Sequence, residues 1–152
     1  MRVRSLLDGL SSADARRALT GLPDARGYEV VIKPLRYRTK AHLAALTEWD
    51  ARRITVQVPI PFHAFDEPVQ YGAKRLPGKN LRFKWLSKTV AFRTKRDVIR
   101  FLYCHEWMHT YLYHELGRKS AAETTCDRFA LLNFKKRVVT RADADAALKR
   151  RG

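Results

Sequence analysis

The sequence predicts an α+β fold: a small antiparallel or mixed sheet packed on a helix carrying His105-Glu106-Trp107-Met108-His109, followed by a second helix carrying Glu123. Three observations lead there. Alternating or β-branched apolar runs occur only before residue 93, two long stretches free of Pro and Gly follow Thr94, and 152 residues suit one domain with a modest core. The expected unit is a single domain over residues 1–152.

The elements are taken in chain order. Ser11 with Asp14 opens a short amphipathic helix that ends near Gly21-Leu22-Pro23. Tyr28 to Leu35 reads as a strand, with Pro34 marking an edge or an end. Leu43 to Glu48 fits a strand or a helical turn, and Trp49-Asp50-Ala51 a turn. Ile54 to Pro59 alternates cleanly and is the best strand in the chain. Pro59 to Gly78 holds four of the six prolines and reads as a loop-rich stretch that walls a cleft. Leu81 to Phe92 is a strand, or a hairpin turning near Ser87-Lys88. Thr94 and Asp97 have capping-box spacing ahead of a helix over Arg96–Leu116, with Gly117 as its stop. Ser120 and Glu123 form a second capping box for a helix over Ala121–Val138, and Thr140 with Asp143 caps a last short one.

On the long helix, Val98, Leu102, His105, His109, Leu112 and Leu116 share one face. Two imidazoles four residues apart thus project together, where a single zinc ion can accept both. Glu106 between them is placed to take a proton from water that such an ion polarises. Histidines on a buried helix face can also be core residues that are merely hydrogen-bonded; the glutamate between them favours the metal. A third protein donor is needed. Glu123 and Asp127, one turn apart on the next helix, supply two carboxylates, one to ligate and one to hold an imidazole from outside. Glu123 as ligand with Asp127 behind a histidine is the first assignment. The rival has Asp127 as ligand and Glu123 occupied in its capping box.

His105-Glu106-x-x-His109-x-x-Leu112, followed by Glu123, Cys126, Phe129 and Ala130, resembles the compact ImmA/IrrE-type metallopeptidases, within the broader gluzincin arrangement. The resemblance covers about the last third of the chain. It implies a minigluzincin-like fold, one Zn2+ per chain held by His105, His109 and Glu123, and Glu106 as the catalytic base. Asp127 and His114 are the candidates for groups around that shell; His114 also fits a surface position, since it is one residue off the register of a metzincin third histidine. Family members often carry His where Tyr113 follows Leu112, Ala in place of Cys126 and an acid in place of Thr125. Tyr103, Tyr111 and Tyr113 are read as packing residues.

Charge is the other strong signal, with 31 Lys and Arg against 15 Asp and Glu, a formal net of +16. Such an excess attracts polyanions. The run from Leu81 to Lys88 interleaves aromatics with cations, so Arg82, Lys84, Trp85 and Lys88 are candidate contacts to DNA or RNA without sequence preference; the same alternation suits a half-buried strand. Two cysteines, Cys104 and Cys126, give no disulfide framework and favour a reducing compartment. With no signal-peptide pattern and no membrane-length apolar run, the expectation is a cytoplasmic protein without a membrane partner.

Three function classes follow. The first is a zinc-dependent endopeptidase acting on a protein substrate, one associated with nucleic acid if the charge serves that end. The second is a basic nucleic-acid-binding protein with a structural or vestigial zinc site, for which Glu106 has no use. The third, an interaction domain without metal, treats the spaced His, Glu and Asp as coincidence.

Overall fold

In the computed structural model, which describes residues 1–118 and 122–149, strand alternation sets the architecture. Strands β1 (Arg2–Ser5), β2 (Glu29–Leu35), β3 (Ala44–Glu48) and β4 (Arg53–Pro59) form a mixed sheet in the order β1-β2-β4-β3. The first three in that order run parallel, and β3 lies antiparallel along the edge of β4. Val30 pairs with Ile54 and Ile32 with Val56, so these side chains share one face and are fully buried with Val58. The opposite face carries Arg4, Lys33, Arg53, Thr55 and Gln57 and borders a concavity of about 640 Å³.

Helix α1 (Ser12–Ala18) lies between β1 and β2 in the chain, and α2 (Lys95–His114) packs under the sheet. Helices α3 (Glu123–Asn133) and α4 (Arg141–Leu148) complete the fold, giving four helices among the described residues. Every residue of α2 from Val98 to Leu112 is buried. A helix enclosed on all sides must find a partner for each polar group it carries. That requirement applies to Arg100, His105, Glu106, His109 and Thr110. The Thr110 hydroxyl satisfies itself by donating to the Trp107 carbonyl at 2.7 Å.

The ends of α2 follow local chemistry. The Thr94 side chain accepts from the Asp97 N–H at 3.1 Å. At the other end Gly117 takes a left-handed φ of 65°, and the Arg118 N–H reaches back past it to the Leu112 carbonyl at 2.8 Å, which closes the helix end.

Three expectations need correction, and a fourth left two alternatives of which one is seen. The short strand β1 is not among the expected elements; its Arg2 and Arg4 pair with Glu29 on the neighbouring strand. The proline-rich stretch before Gly78 is not a loop. Strand β5 (Phe65–Arg75) pairs antiparallel with β6 (Phe83–Phe92) in a separate two-stranded sheet, and Pro68 sits within it opposite Thr89. A two-stranded ribbon has a free edge on each strand, so a residue lacking an N–H is tolerated there. Of the two readings of Leu81 to Phe92 the strand is the one seen, as β6; the hairpin turns earlier, between Leu76 and Arg82, where the Leu76 N–H donates to the Arg82 carbonyl at 2.9 Å, and not near Ser87-Lys88.

Finally, α3 stops at Asn133 rather than running to Val138. The carbonyls of Phe134 and Lys136 accept from the buried Arg100 guanidinium, and the Arg137 carbonyl lies against Gly21. A Cβ on Gly21 would come within 1.8 Å of that oxygen, which is why the chain can turn there only past a glycine. The expected cap at Ser120 lies outside the described residues; α3 begins at Glu123 after Ala122, which makes no side-chain cap.

The buried apolar residues other than Val31 and Leu35 form one connected core. Phe92 at the base of the hairpin stands 5.3 Å from Phe101 and 5.9 Å from Phe134, which fixes β6 to α2 and to the end of α3. No helix among the described residues is long and apolar enough to cross a membrane.

Candidate metal centre

Helical register brings His105 and His109 together, with their Nε2 atoms 3.2 Å apart. The first turn of α3 then delivers Glu123 between them: one carboxylate oxygen is 2.9 Å from His105 Nε2 and the other 3.0 Å from His109 Nε2. A zinc ion with bonds of ~2.0–2.1 Å at tetrahedral angles needs donors about 3.3 Å apart, so the three groups fit such an ion with small adjustments. Among the described residues these three form a group whose donor atoms lie within 4.8 Å of one another.

The two carboxylates of α3 hold different positions. Asp127 Oδ1 lies 2.8 Å from His105 Nδ1, on the far side of the ring from Glu123. A carboxylate there accepts a hydrogen bond from Nδ1–H and so turns Nε2 toward the cluster. Glu123 is engaged with both histidines. Burial alone would depress the His105 pKa, but hydrogen bonds to Asp127 and Glu123, with Glu106 nearby, outweigh it and push it up to about 10. Glu123 is drawn down to about 2, chiefly by its hydrogen bond with His105. Three carboxylates gathered about two imidazoles thus favour a cation. The imidazole side chains are 11% and 10% exposed, whereas Glu123 is 64% exposed, so the cluster opens to solvent on the α3 side.

Glu106 stands outside this donor set. It is buried, and its Oε2 accepts a hydrogen bond from the Thr47 hydroxyl of β3. Thr47 pairs with Ile54 on the sheet face that covers α2, which explains how an edge strand reaches the helix. No motif in the sequence marks Thr47; only the register of β3 against β4 turns it inward.

His114 does not belong to this centre. Its Nε2 is 2.6 Å from the Tyr28 hydroxyl, beside a concavity of about 610 Å³ that also includes Arg26, Arg52 and Arg141. Five residues beyond His109 place it ~7.5 Å further along the axis and well around the helix. The tyrosines of α2 pack or bond elsewhere: Tyr103 donates to the Pro23 carbonyl, Tyr111 to Asp145, and Tyr113 stacks on Trp49. Both cysteines are free and buried, and burial pushes the Cys104 thiol up to about 12 and raises that of Cys126. Lys84, Trp85 and Lys88 are carried by β6 and Arg82 by the turn before it, outside the donor group.

No known protein family, curated protein or solved structure matches this chain.

The geometry yields a direct expectation for metal content. Wild type should hold about one zinc per chain and His109→Ala little, by elemental analysis after dialysis. Asp127→Asn should still bind but with affinity about 10–100-fold lower in a chelator competition, since only the outer support of His105 is removed. Full retention by His109→Ala would refute the donor set. Loss of metal in Asp127→Ala with none in Glu123→Ala would exchange the two carboxylates.

Proposed function

We propose that this protein is a zinc-dependent metallopeptidase of the gluzincin type, resembling the ImmA/IrrE peptidases, that cleaves peptide bonds of a protein substrate. The observation that carries the reading is Glu106. A structural zinc site has no need of a buried carboxylate that adjoins three convergent donors without joining them and is held by its own hydrogen bond from Thr47.

His105, His109 and Glu123 would hold the ion. When bound, zinc supplies Lewis acidity that polarises a carbonyl and lowers the pKa of water. Glu106 accepts the proton of the attacking water and returns it to the leaving amine, so the peptide plus water yields an acid and an amine. Thr47 fixes which carboxylate oxygen is free for that work. Asp127 keeps His105 in the tautomer that presents Nε2. Strand β3 is the sheet edge next to Glu106, with no partner beyond it among the described residues. An extended peptide can add to such an edge through its backbone groups, which brings its carbonyls past Glu106.

The test is hydrolysis by protein stripped of metal and then reloaded with one equivalent of zinc. Mass spectrometry of an unfolded protein substrate should show new termini with the reloaded protein only. Equal cleavage by the stripped protein would overturn the reading. Metal binding without hydrolysis, joined to DNA binding, would favour the alternative of a basic nucleic-acid-binding protein with a structural or vestigial zinc site.

A further inference from the structure

The β5–β6 hairpin is held at its base and, in mid-strand, against α3, where Arg128 donates to the Tyr71 carbonyl at 2.8 Å; its outer part is exposed. Val69, Val90 and Phe92 are buried, whereas Ala73, Lys74 and Arg75 on one strand and Phe83, Lys84 and Trp85 on the other are exposed. From Gly72 to Arg75 the strand rises roughly 10 Å, so the outer part of the ribbon extends past the core. Beyond the contact with α3 the ribbon has only its own cross-strand pairing to hold it, which is marginal in water.

Between Glu67 and Asp97 the chain has no acidic residue, while Lys74, Arg75, Lys79, Arg82, Lys84 and Lys88 fall on the ribbon and its tip. The register sets Lys74 directly opposite Lys84. Like charges facing across a strand pair repel, and neither has an ion-pair partner among the described residues. Alternation puts Lys84 and Lys88 on one face and Phe83 and Trp85 on the other, with Ala73 opposite Trp85. Phe83 and Trp85 are 55% and 56% exposed.

We infer that this ribbon is a docking element for duplex DNA, seated in the major groove. A major groove ~12 Å wide admits a two-stranded β-ribbon, while the deep, narrow major groove of A-form RNA does not. The apolar face of Phe83, Trp85 and Ala73 meets the groove floor, where thymine methyls offer apolar contact. Lysines and arginines of the other face and the tip reach the phosphates on both walls and remove the Lys74–Lys84 repulsion. Lys74, Lys84 and Lys88 lie on the face away from the aromatics, and of the strand cations only Arg75, opposite Phe83, shares the aromatic face, which leaves a single strand stacked there short of phosphate partners. No residue of the metal cluster takes part, so the inference stands or falls apart from the peptidase reading.

The experiment is a fluorescence anisotropy titration of zinc-loaded protein with a 20-base-pair DNA duplex over a range of salt. Lys74→Gln with Lys84→Gln should reduce the slope of log K against log salt by roughly 2, about 0.9 for each phosphate that is no longer neutralised. Trp85→Ala should weaken binding several-fold at an unchanged slope. Arg26→Gln with Arg118→Gln, the same charge change elsewhere, should leave the slope nearly intact. Lys84→Glu should weaken DNA binding while thermal stability stays level or rises, because it places a glutamate opposite Lys74. An unchanged slope in the ribbon double variant, an equal loss in the Arg26/Arg118 control, or equal affinity for duplex RNA would each overturn the proposal. So would binding to vesicles of anionic phospholipid without binding to DNA, which would assign the aromatic face to a membrane surface.

Discussion

Glu106→Gln should keep its zinc and lose peptide hydrolysis by about 10²–10⁴-fold or more, the usual consequence of removing a general base. Size and hydrogen-bonding geometry are nearly preserved. The glutamine carbonyl can still accept the Thr47 hydroxyl bond that Glu106 Oε2 accepts in the native protein. Its amide nitrogen then occupies the position of the second carboxylate oxygen, presenting a donor where water needs an acceptor. The donor set of His105, His109 and Glu123 is untouched, so metal content and melting temperature should match wild type. The comparison to make is turnover at saturating substrate, with metal content measured on the same sample. Undiminished turnover at full metal occupancy would remove Glu106 from the chemistry. Thr47→Val gives a graded companion: the carboxylate remains but loses its orienting bond, so the loss in turnover should be smaller than that of Glu106→Gln.

Much of this centre was legible in the sequence because helices convert spacing into direction. His105 and His109 had to share a face, and the stops at Thr94 and Gly117 fixed where that face began and ended. Glu123 and Asp127 were visible as a pair, but their division of labour required the packing of α3 on α2, which no local pattern encodes. His114 shows the limit of motif reasoning. It lies close to the motif in sequence, yet helix rotation carries it to Tyr28 instead.

The strands were less legible for a related reason. The apolar interior face of β2 and β4 is plain from alternation, but β1 is short and bears arginines that become intelligible only beside Glu29. Prolines before Gly78 suggested a loop because a central strand cannot lose ladder bonds. Strand β5 belongs to a ribbon with no central strand, so Pro68 breaks no rule there. The boundary of α3 was also hidden, since it is set by Arg100, 33 residues before the helix ends at Asn133.

Arg100→Met should destabilise the fold by about 3–5 kcal/mol, a large part of the roughly 5–15 kcal/mol typical of a domain. Arg100 is 4% exposed, and its partners are carbonyls rather than carboxylates. Nε donates to Phe134 O at 2.7 Å, one terminal nitrogen to Ala18 O at 2.9 Å and Thr20 O at 3.0 Å, and the other to Lys136 O. These acceptors are the chain's exits from α1 and α3, where helix carbonyls lack partners within the helix and the dipole favours positive charge. One planar guanidinium therefore ties the ends of both helices to the second turn of α2. Methionine fills much of the volume but leaves the carbonyls without donors, each costing about 1–3 kcal/mol where water cannot enter. Lysine should recover only part of the loss, because a single ammonium cannot span acceptors arranged around a plane. Urea unfolding should show a lower midpoint at an unchanged m-value for both variants, methionine below lysine. The zinc content of folded Arg100→Met should stay near wild type at low temperature, since its effect is on the helix exits and not on the donors. A midpoint shift worth under ~1 kcal/mol would mean that water satisfies those carbonyls and that the helix ends are held by apolar packing alone.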